Sequence, residues 1–155
     1  MRVNIIGLGS NWKQAPMDGE CWGVGMLILK RSVSLLFLMH PQKLIHEYYE
    51  EHEEVMEKIR ETKTQVITIE EDESLPGALI YPIEKMKSQY FTSTIAYMIA
   101  YAIHKGYTEI HLYGVPLVVK PEYHEQKCCI EFWIGMAKGT EIDVTIHGRT
   151  TLFGT

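Results

Sequence analysis

Short apolar runs ended by glycine or polar residues alternate along this chain with stretches in which apolar positions recur every three or four residues. Arg2-Val3-Asn4-Ile5-Ile6 runs into Gly7-Leu8-Gly9-Ser10-Asn11, the pattern of a buried first strand opening into a turn. Cys21 to Gly25 is a weaker strand with the same kind of ending. Ser34 to Met39 is continuously apolar, as expected of a strand covered on both faces, and His40-Pro41 stops it. From Pro41 to about Thr64, Leu44, Ile45, Tyr48, Tyr49, Val55, Met56 and Ile59 recur at helical steps among glutamates, which predicts a surface helix. Gln65 to Ile69 reads as a fourth strand, Glu70 to Ser74 as a polar loop and Pro76-Gly77 as a turn. Ile95 to Ile103 is apolar nearly all round, with Thr92-Ser93-Thr94 as hydroxyl caps before it and Gly106 after it, so a central buried helix is expected. A fifth strand at Thr108 to Gly114, a helix over Glu122 to Lys138 and a last strand over Glu141 to Ile146 complete the series.

This alternation predicts an α/β domain over residues 1–155: a three-layer Rossmann-like fold with a mostly parallel sheet and helices on both faces. In such sheets ligands bind outside the carboxyl ends of the strands, where the strand order reverses. That rule selects Gly7 to Asn11, Gly23 to Gly25, Met39-His40 and Gly114-Val115.

Composition narrows the function classes. The 155 residues are 46% apolar and 23% charged, enough for one domain whose core needs neither a disulfide nor a structural metal. A formal charge of −5 lacks the basic excess that attracts a polyanion, so no nucleic-acid partner is expected. No apolar run approaches the ~18 residues of a membrane span, and the amino-terminal residues lead into a strand rather than a signal peptide. A cytoplasmic protein without a membrane partner is the expectation. Cys21, Cys128 and Cys129 have no zinc-ligand spacing, Cys128 and Cys129 read as buried small side chains, and the acidic loop lacks the convergent oxygens of a hard-cation site. No metal and no cofactor are expected.

Four places carry candidate chemistry. Gly7, Gly9, Ser10 and Asn11 would let backbone amides and a hydroxyl approach a phosphate, although an ordinary turn uses the same glycines. Trp12 stands where a dinucleotide fingerprint needs its third glycine, which disfavours NAD. Thr92, Ser93 and Thr94 place three hydroxyls at a helix start, whose dipole favours an anion; capping alone would need one. His40, at a strand end, is a candidate acid or base, or a strand-capping imidazole. Glu131 shares a helix face with His124 and Lys127 and sits among Cys128, Cys129, Ile130, Phe132, Trp133 and Ile134, where a carboxylate needs a partner.

Phe91-Thr92-Ser93-Thr94-Ile95-Ala96-Tyr97-Met98, followed by Ala102-Ile103-His104-Lys105-Gly106-Tyr107-Thr108-Glu109-Ile110-His111-Leu112-Tyr113-Gly114-Val115, resembles the central helix–strand unit of a Rossmann-like superfamily. That superfamily includes bacterial sialyltransferases using CMP-sugars and archaeal hydroxymethylpterin pyrophosphokinase-like proteins. Trp22-Gly23-Val24, Phe37-Leu38-Met39-His40 and Cys129-Ile130-Glu131-Phe132-Trp133-Ile134-Gly135 are similar to segments of small Rossmann-like proteins of bacteriophages and prophages, a likeness that covers nearly the whole chain. The resemblance implies Gly7, Gly9, Ser10 and Asn11 as a phosphate or nucleotide loop, Thr92, Ser93 and Thr94 as helix-start contacts, Gly114 as the corner beside the ligand, and a bacterial host cell. Pro116, Gly25 and Thr94 depart from the relatives' acidic residue, asparagine and glycine, and the chain is short for the sialyltransferases' sugar-binding lid and its catalytic histidine.

The leading expectation is a protein that binds a nucleotide or another phosphorylated small molecule at the strand carboxyl ends. The alternative is a transferase or hydrolase of an activated nucleotide or nucleotide sugar, with His40 or Glu131 as acid or base. A third reading is a phage-related interaction protein or homo-oligomer using Met26 to Leu29 and Trp133, residues that would equally fill a core.

Overall fold

The computed structural model describes residues 1–40, 52–115 and 123–154. The described residues form seven strands: β1 (Arg2–Ile6), β2 (Cys21–Val24), β3 (Leu35–Leu38), β4 (Gln65–Thr68), β5 (Leu79–Ile80), β6 (Glu109–Tyr113) and β7 (Asp143–Ile146). They form one sheet in the order β5-β4-β3-β2-β1-β6-β7, and every described pairing is parallel. The α-helices among the described residues are α1 (His52–Thr62), α2 (Thr94–His104) and α3 (Tyr123–Gly139). The chain steps outward from β1 to β5, then crosses through α2 to β6 on the other side of β1. The strand order therefore reverses between β1 and β6, which opens a crevice at their carboxyl ends.

Side-chain alternation explains the layers. Val3, Ile5, Trp22, Leu35, Phe37, Ile67, Ile110 and Leu112 point to one face and pack under α2 and α3 against Met98, Ile99, Ile130, Trp133 and Ile134. Leu36, Leu38 and Val66 point the other way, against Val55, Met56 and Ile59 of α1 and Ile28. A fully buried side chain of this size contributes about 1.5–3 kcal/mol, so β3, buried at every position, is a central strand. Over β6 and β7 the second face is not closed by a helix among the described residues. There the outward positions are polar: Glu109, His111, Asp143 and Thr145. Buried Arg31 directs its guanidinium at the carbonyls of Ala15, Pro16 and Ser32, fixing the connection between β1 and β2.

The expected α/β three-layer architecture is present, with three differences. β5 has only two residues, both exposed, too few to show a period. Short 3-10 turns at Ser10–Gln14 and Gly25–Leu29 replace loops. Of the helix expected from Pro41 to about Thr64, the described part is α1, His52–Thr62; the remainder with Leu44, Ile45, Tyr48 and Tyr49, and Pro116, lie outside the described residues. Cys128 is exposed rather than buried, because it faces outward where Cys129 faces the core. Of the apolar residues considered for contacts, Leu27, Ile28 and Trp133 are at most 2% exposed and belong to the core, whereas Leu29 is exposed. Among the described residues, no helix is long and apolar enough to cross a membrane.

Candidate functional site

Two glycine corners form the floor of the crevice. Gly7 N–H donates to Tyr113 O at 2.8 Å and Gly9 N–H to Gly114 O at 2.9 Å, so the segment after β1 continues pairing beyond the end of β6. The backbones meet so closely that a Cβ on Gly7 would lie 2.5 Å from Gly114 O, and a Cβ on Gly114 2.5 Å from Gly7 O. Gly114 also has φ +69°, the left-handed region. The two glycines are thus required by their mutual approach, and they leave an uncluttered backbone facing the cleft.

The cleft has a volume of about 560 Å³. Its lining gathers the ends of β1 (Gly7, Leu8, Gly9), β2 (Val24, Gly25, Met26), β3 (Leu38, Met39, His40) and β6 (Gly114, Val115), together with Thr92, Ser93, Thr94 and Ile95. Val55 and Met56 of α1, with Leu38 and Met26, belong to one apolar cluster and form its apolar wall. Gln126 and Ile130 of α3 close it from another side.

Ser93 is the N-cap of α2. Its backbone is extended (φ −151°, ψ 142°) and its Oγ accepts from Ile95 N–H at 3.2 Å, a contact worth about 0.5–2 kcal/mol. The helix dipole and the first-turn amides that a helix leaves without intrahelical partners face the same cleft. Thr92 is committed elsewhere: its hydroxyl donates to Glu125 O at 2.9 Å and its N–H to Cys129 Sγ at 3.3 Å. The Cys129 thiol in turn donates to Tyr90 O at 3.4 Å, as does Trp133 Nε1–H at 2.8 Å. Phe91 is sandwiched between Tyr97 and Trp133, ring centroids 4.2 and 5.2 Å away. α3 therefore fixes the segment that enters α2. Burial pushes the Tyr97 phenol up, with Cys129 adding to the effect, so it stays neutral at physiological pH.

The structure brings Gly7, Gly9, His40, Thr92, Ser93, Thr94 and Gly114 together around this cleft, and three other candidates stand apart. Ser10 is exposed at the start of the Ser10–Gln14 turn and does not line the cleft. The Asn11 side chain accepts from Gly114 N–H at 2.9 Å and donates to His147 O at 2.6 Å, so it braces the corner and is not directed at a ligand. Glu131 points away from the cleft, where its carboxylate accepts from Phe153 N–H; that amide is the partner its apolar neighbourhood required. The bracing by Cys129, Trp133 and Asn11 joins residues 37 to 136 positions apart. No local spacing signals it.

Among the described residues that line the cleft there is no Lys, Arg, Asp or Glu, and His40 is the titratable side chain. The Gly7, Gly9 and Gly114 amides are engaged with Tyr113 O, Gly114 O and Asn11 Oδ1, so an anion would be held by the first-turn amides of α2, the Ser93 and Thr94 hydroxyls and the helix dipole, with the glycines leaving room for it.

No protein-family model and no curated protein matches the chain. Among solved structures, the fold is similar to that of the sialyltransferase CstII from Campylobacter jejuni. The complex of CstII with the substrate analogue CMP-3FNeuAc superposes with a TM-score of 0.60 at 16% identity, over 94% of this chain and 79% of that one. The complex with trisaccharide acceptor and CMP gives 0.59 at 15% identity, over 94% and 80% of the two chains. The complex with cytidine-5'-monophosphate gives 0.56 at 17%, over 94% and 78%. At these identities the similarity shows the α/β fold, and the expected likeness to sialyltransferases holds at that level.

Proposed function

We propose that this chain binds a nucleotide or nucleotide sugar in the cleft, with the phosphate against the start of α2 and the Gly7, Gly9 and Gly114 corners. The base would rest on the apolar wall of Met26, Leu38, Val55 and Met56. The observation that carries this reading is the convergence of a Ser93-capped helix start and an open glycine backbone at the reversal of strand order. Solved structures of the same fold with CMP and a CMP-sugar analogue as ligands support the choice of ligand class. Calorimetric titration with CMP and a CMP-sugar tests it on the parent and on Ser93→Asp. Aspartate is itself a good N-cap, so the fold should persist while a fixed negative charge opposes the phosphate and removes binding. Equal binding to both proteins would place the phosphate elsewhere.

A second reading makes the cleft catalytic, a transferase or hydrolase of an activated nucleotide. It is favoured by His40, which lines the same cleft as Ser93 and is exposed to exchange protons. His40→Ala should then abolish turnover of a CMP-sugar, followed by release of free CMP, while calorimetric binding persists. Glu131 has no part in this reading.

A further inference from the structure

On the sheet face left open over β6 and β7, an array of polar side chains runs up to the back of the Gly114 corner. His111 Nε2 lies 3.2 Å from Glu109 Oε2, and its Nδ1 lies 2.8 Å from His147 Nε2. The His147 ring stacks on Tyr113, with centroids 4.2 Å apart and planes inclined by 3°. The His147 backbone is tied on both sides: its N–H donates to Leu112 O at 2.9 Å, and its carbonyl accepts from Asn11 Nδ2 at 2.6 Å. Asn11 in turn holds Gly114 N–H, and Gly114 O holds Gly9 N–H. A continuous chain of contacts thus joins the histidine pair to two of the glycines that line the cleft.

The proton arrangement of the pair follows from its partners. A carboxylate only accepts, so His111 donates Nε2–H to Glu109 and keeps a lone pair on Nδ1. His147 then donates its Nε2–H to that lone pair. A first added proton can sit on His147 Nδ1 with this bond intact. A second would go to His111 Nδ1 and set N–H against N–H across 2.8 Å. The groups that face His147 decide how readily it charges. Arg2 from β1 opposes charging, as does His111; Glu109, in contact with His111 and 3.8 Å from Arg2, favours it; Tyr113 and Asn11 are neutral. Burial first, then His111 and Arg2, hold His147 below the usual histidine value. Among the described residues the pair has no third ligating side chain to make it a metal site.

We infer that Asn11 and the His111–His147 pair form a proton-sensitive clasp that positions the Gly114 corner, and with it the polar end of the cleft. Asn11, His111 and His147 are positioning residues: none lines the cleft. Neutral or singly protonated, the pair holds the segment after β7 against β6, and Asn11 fixes Gly114. Doubly protonated, it separates and releases the carbonyl that anchors Asn11.

The test uses the full chain without any nucleotide, so its outcome is independent of what fills the cleft. Imidazole and amide resonances are followed by NMR from pH 8 down to the onset of acid unfolding, because the second proton enters a pair that already carries one. The expected result is that the Gly114 and Gly9 amides move with the midpoint of the pair's low-pH protonation step, detected as imidazole shifts of both His111 and His147. Gly114 hydrogen exchange, corrected for its intrinsic pH dependence, should accelerate about tenfold below that midpoint. In His147→Phe, which keeps a ring on Tyr113, the Gly114 movement should vanish; in Asn11→Ala the imidazoles should still titrate while Gly114 no longer follows. A Gly114 amide that stays flat while both imidazoles titrate in the parent would overturn the proposal, as would the same movement in His147→Phe.

Discussion

Gly7→Ala tests the physical basis of the cleft, because its cost is set by backbone meeting backbone. The added Cβ would lie 2.5 Å from Gly114 O and 3.2 Å from Gly114 C, neither of them the movable end of a side chain. Ordinary contact requires the two corners to part by about 1 Å. That stretches the 2.8 Å bond from Gly7 N–H to Tyr113 O and the 2.9 Å bond from Gly9 N–H to Gly114 O beyond useful length. Overpacking costs about 1–3 kcal/mol and each of the two lost hydrogen bonds about 1 kcal/mol, so the expected destabilisation is about 3–5 kcal/mol. Urea unfolding of parent and variant measures it, with Gly135→Ala as the control. Gly135 lies within α3 with nothing within 4 Å of a Cβ, so alanine there should stabilise by about 0.5–1 kcal/mol through its helix propensity. A Gly7→Ala protein within 0.5 kcal/mol of the parent, an allowance of about the usual effect of a surface substitution, would refute the reasoning.

Other outcomes follow from the same geometry. Ser93→Ala should lose about 0.5–2 kcal/mol in urea unfolding, the value of the cap to Ile95 N–H. Cys129→Ala removes the acceptor of Thr92 N–H and a donor to Tyr90 O, and should cost about 1–3 kcal/mol, with Cys129→Ser recovering part of it. Burial, reinforced by Tyr97 and Tyr101, drives the Tyr81 phenol far above its ordinary value of 10.0, and its hydroxyl donates to Tyr97 O at 2.7 Å. The unfolded chain therefore releases this proton first, so the stability Tyr81 contributes is complete below pH 10.0 and declines as pH rises beyond it. Tyrosinate absorbance should show Tyr81 ionising only together with alkaline unfolding.

Features whose cause is local were legible in the sequence. The Ser93 cap, the glycines after β1, β2 and β6 and the continuously apolar β3 each follow from a few neighbouring residues, and together they located the cleft. The glycine turn after β1 also has a cause that no local pattern shows: Gly7 and Gly114 answer to each other across the sheet, a contact between residues more than a hundred positions apart. Asn11 looked like a ligand group because it sits in the glycine turn, yet its amide serves Gly114 and His147. Glu131 looked functional because its neighbours are apolar, and the amide of Phe153 that satisfies it has no sequence signal. The histidine pair was missed for the same reason: His111 and His147 lie on adjacent stretches of sheet that only the pairing of β6 with β7 brings together.

The central claim is that a nucleotide phosphate lies against the start of α2 and the glycine corners. The measurement that tests it most directly is amide chemical-shift mapping by NMR during a titration with CMP. The account predicts saturable shifts concentrated at Gly9, Thr94, Ile95 and Gly114, with the methyl signals of Met26 and Met56 moving as the base meets the apolar wall. Shifts concentrated instead around Lys85, Lys87 and His104, which line a different cavity, or no saturable shift at millimolar CMP, would contradict it.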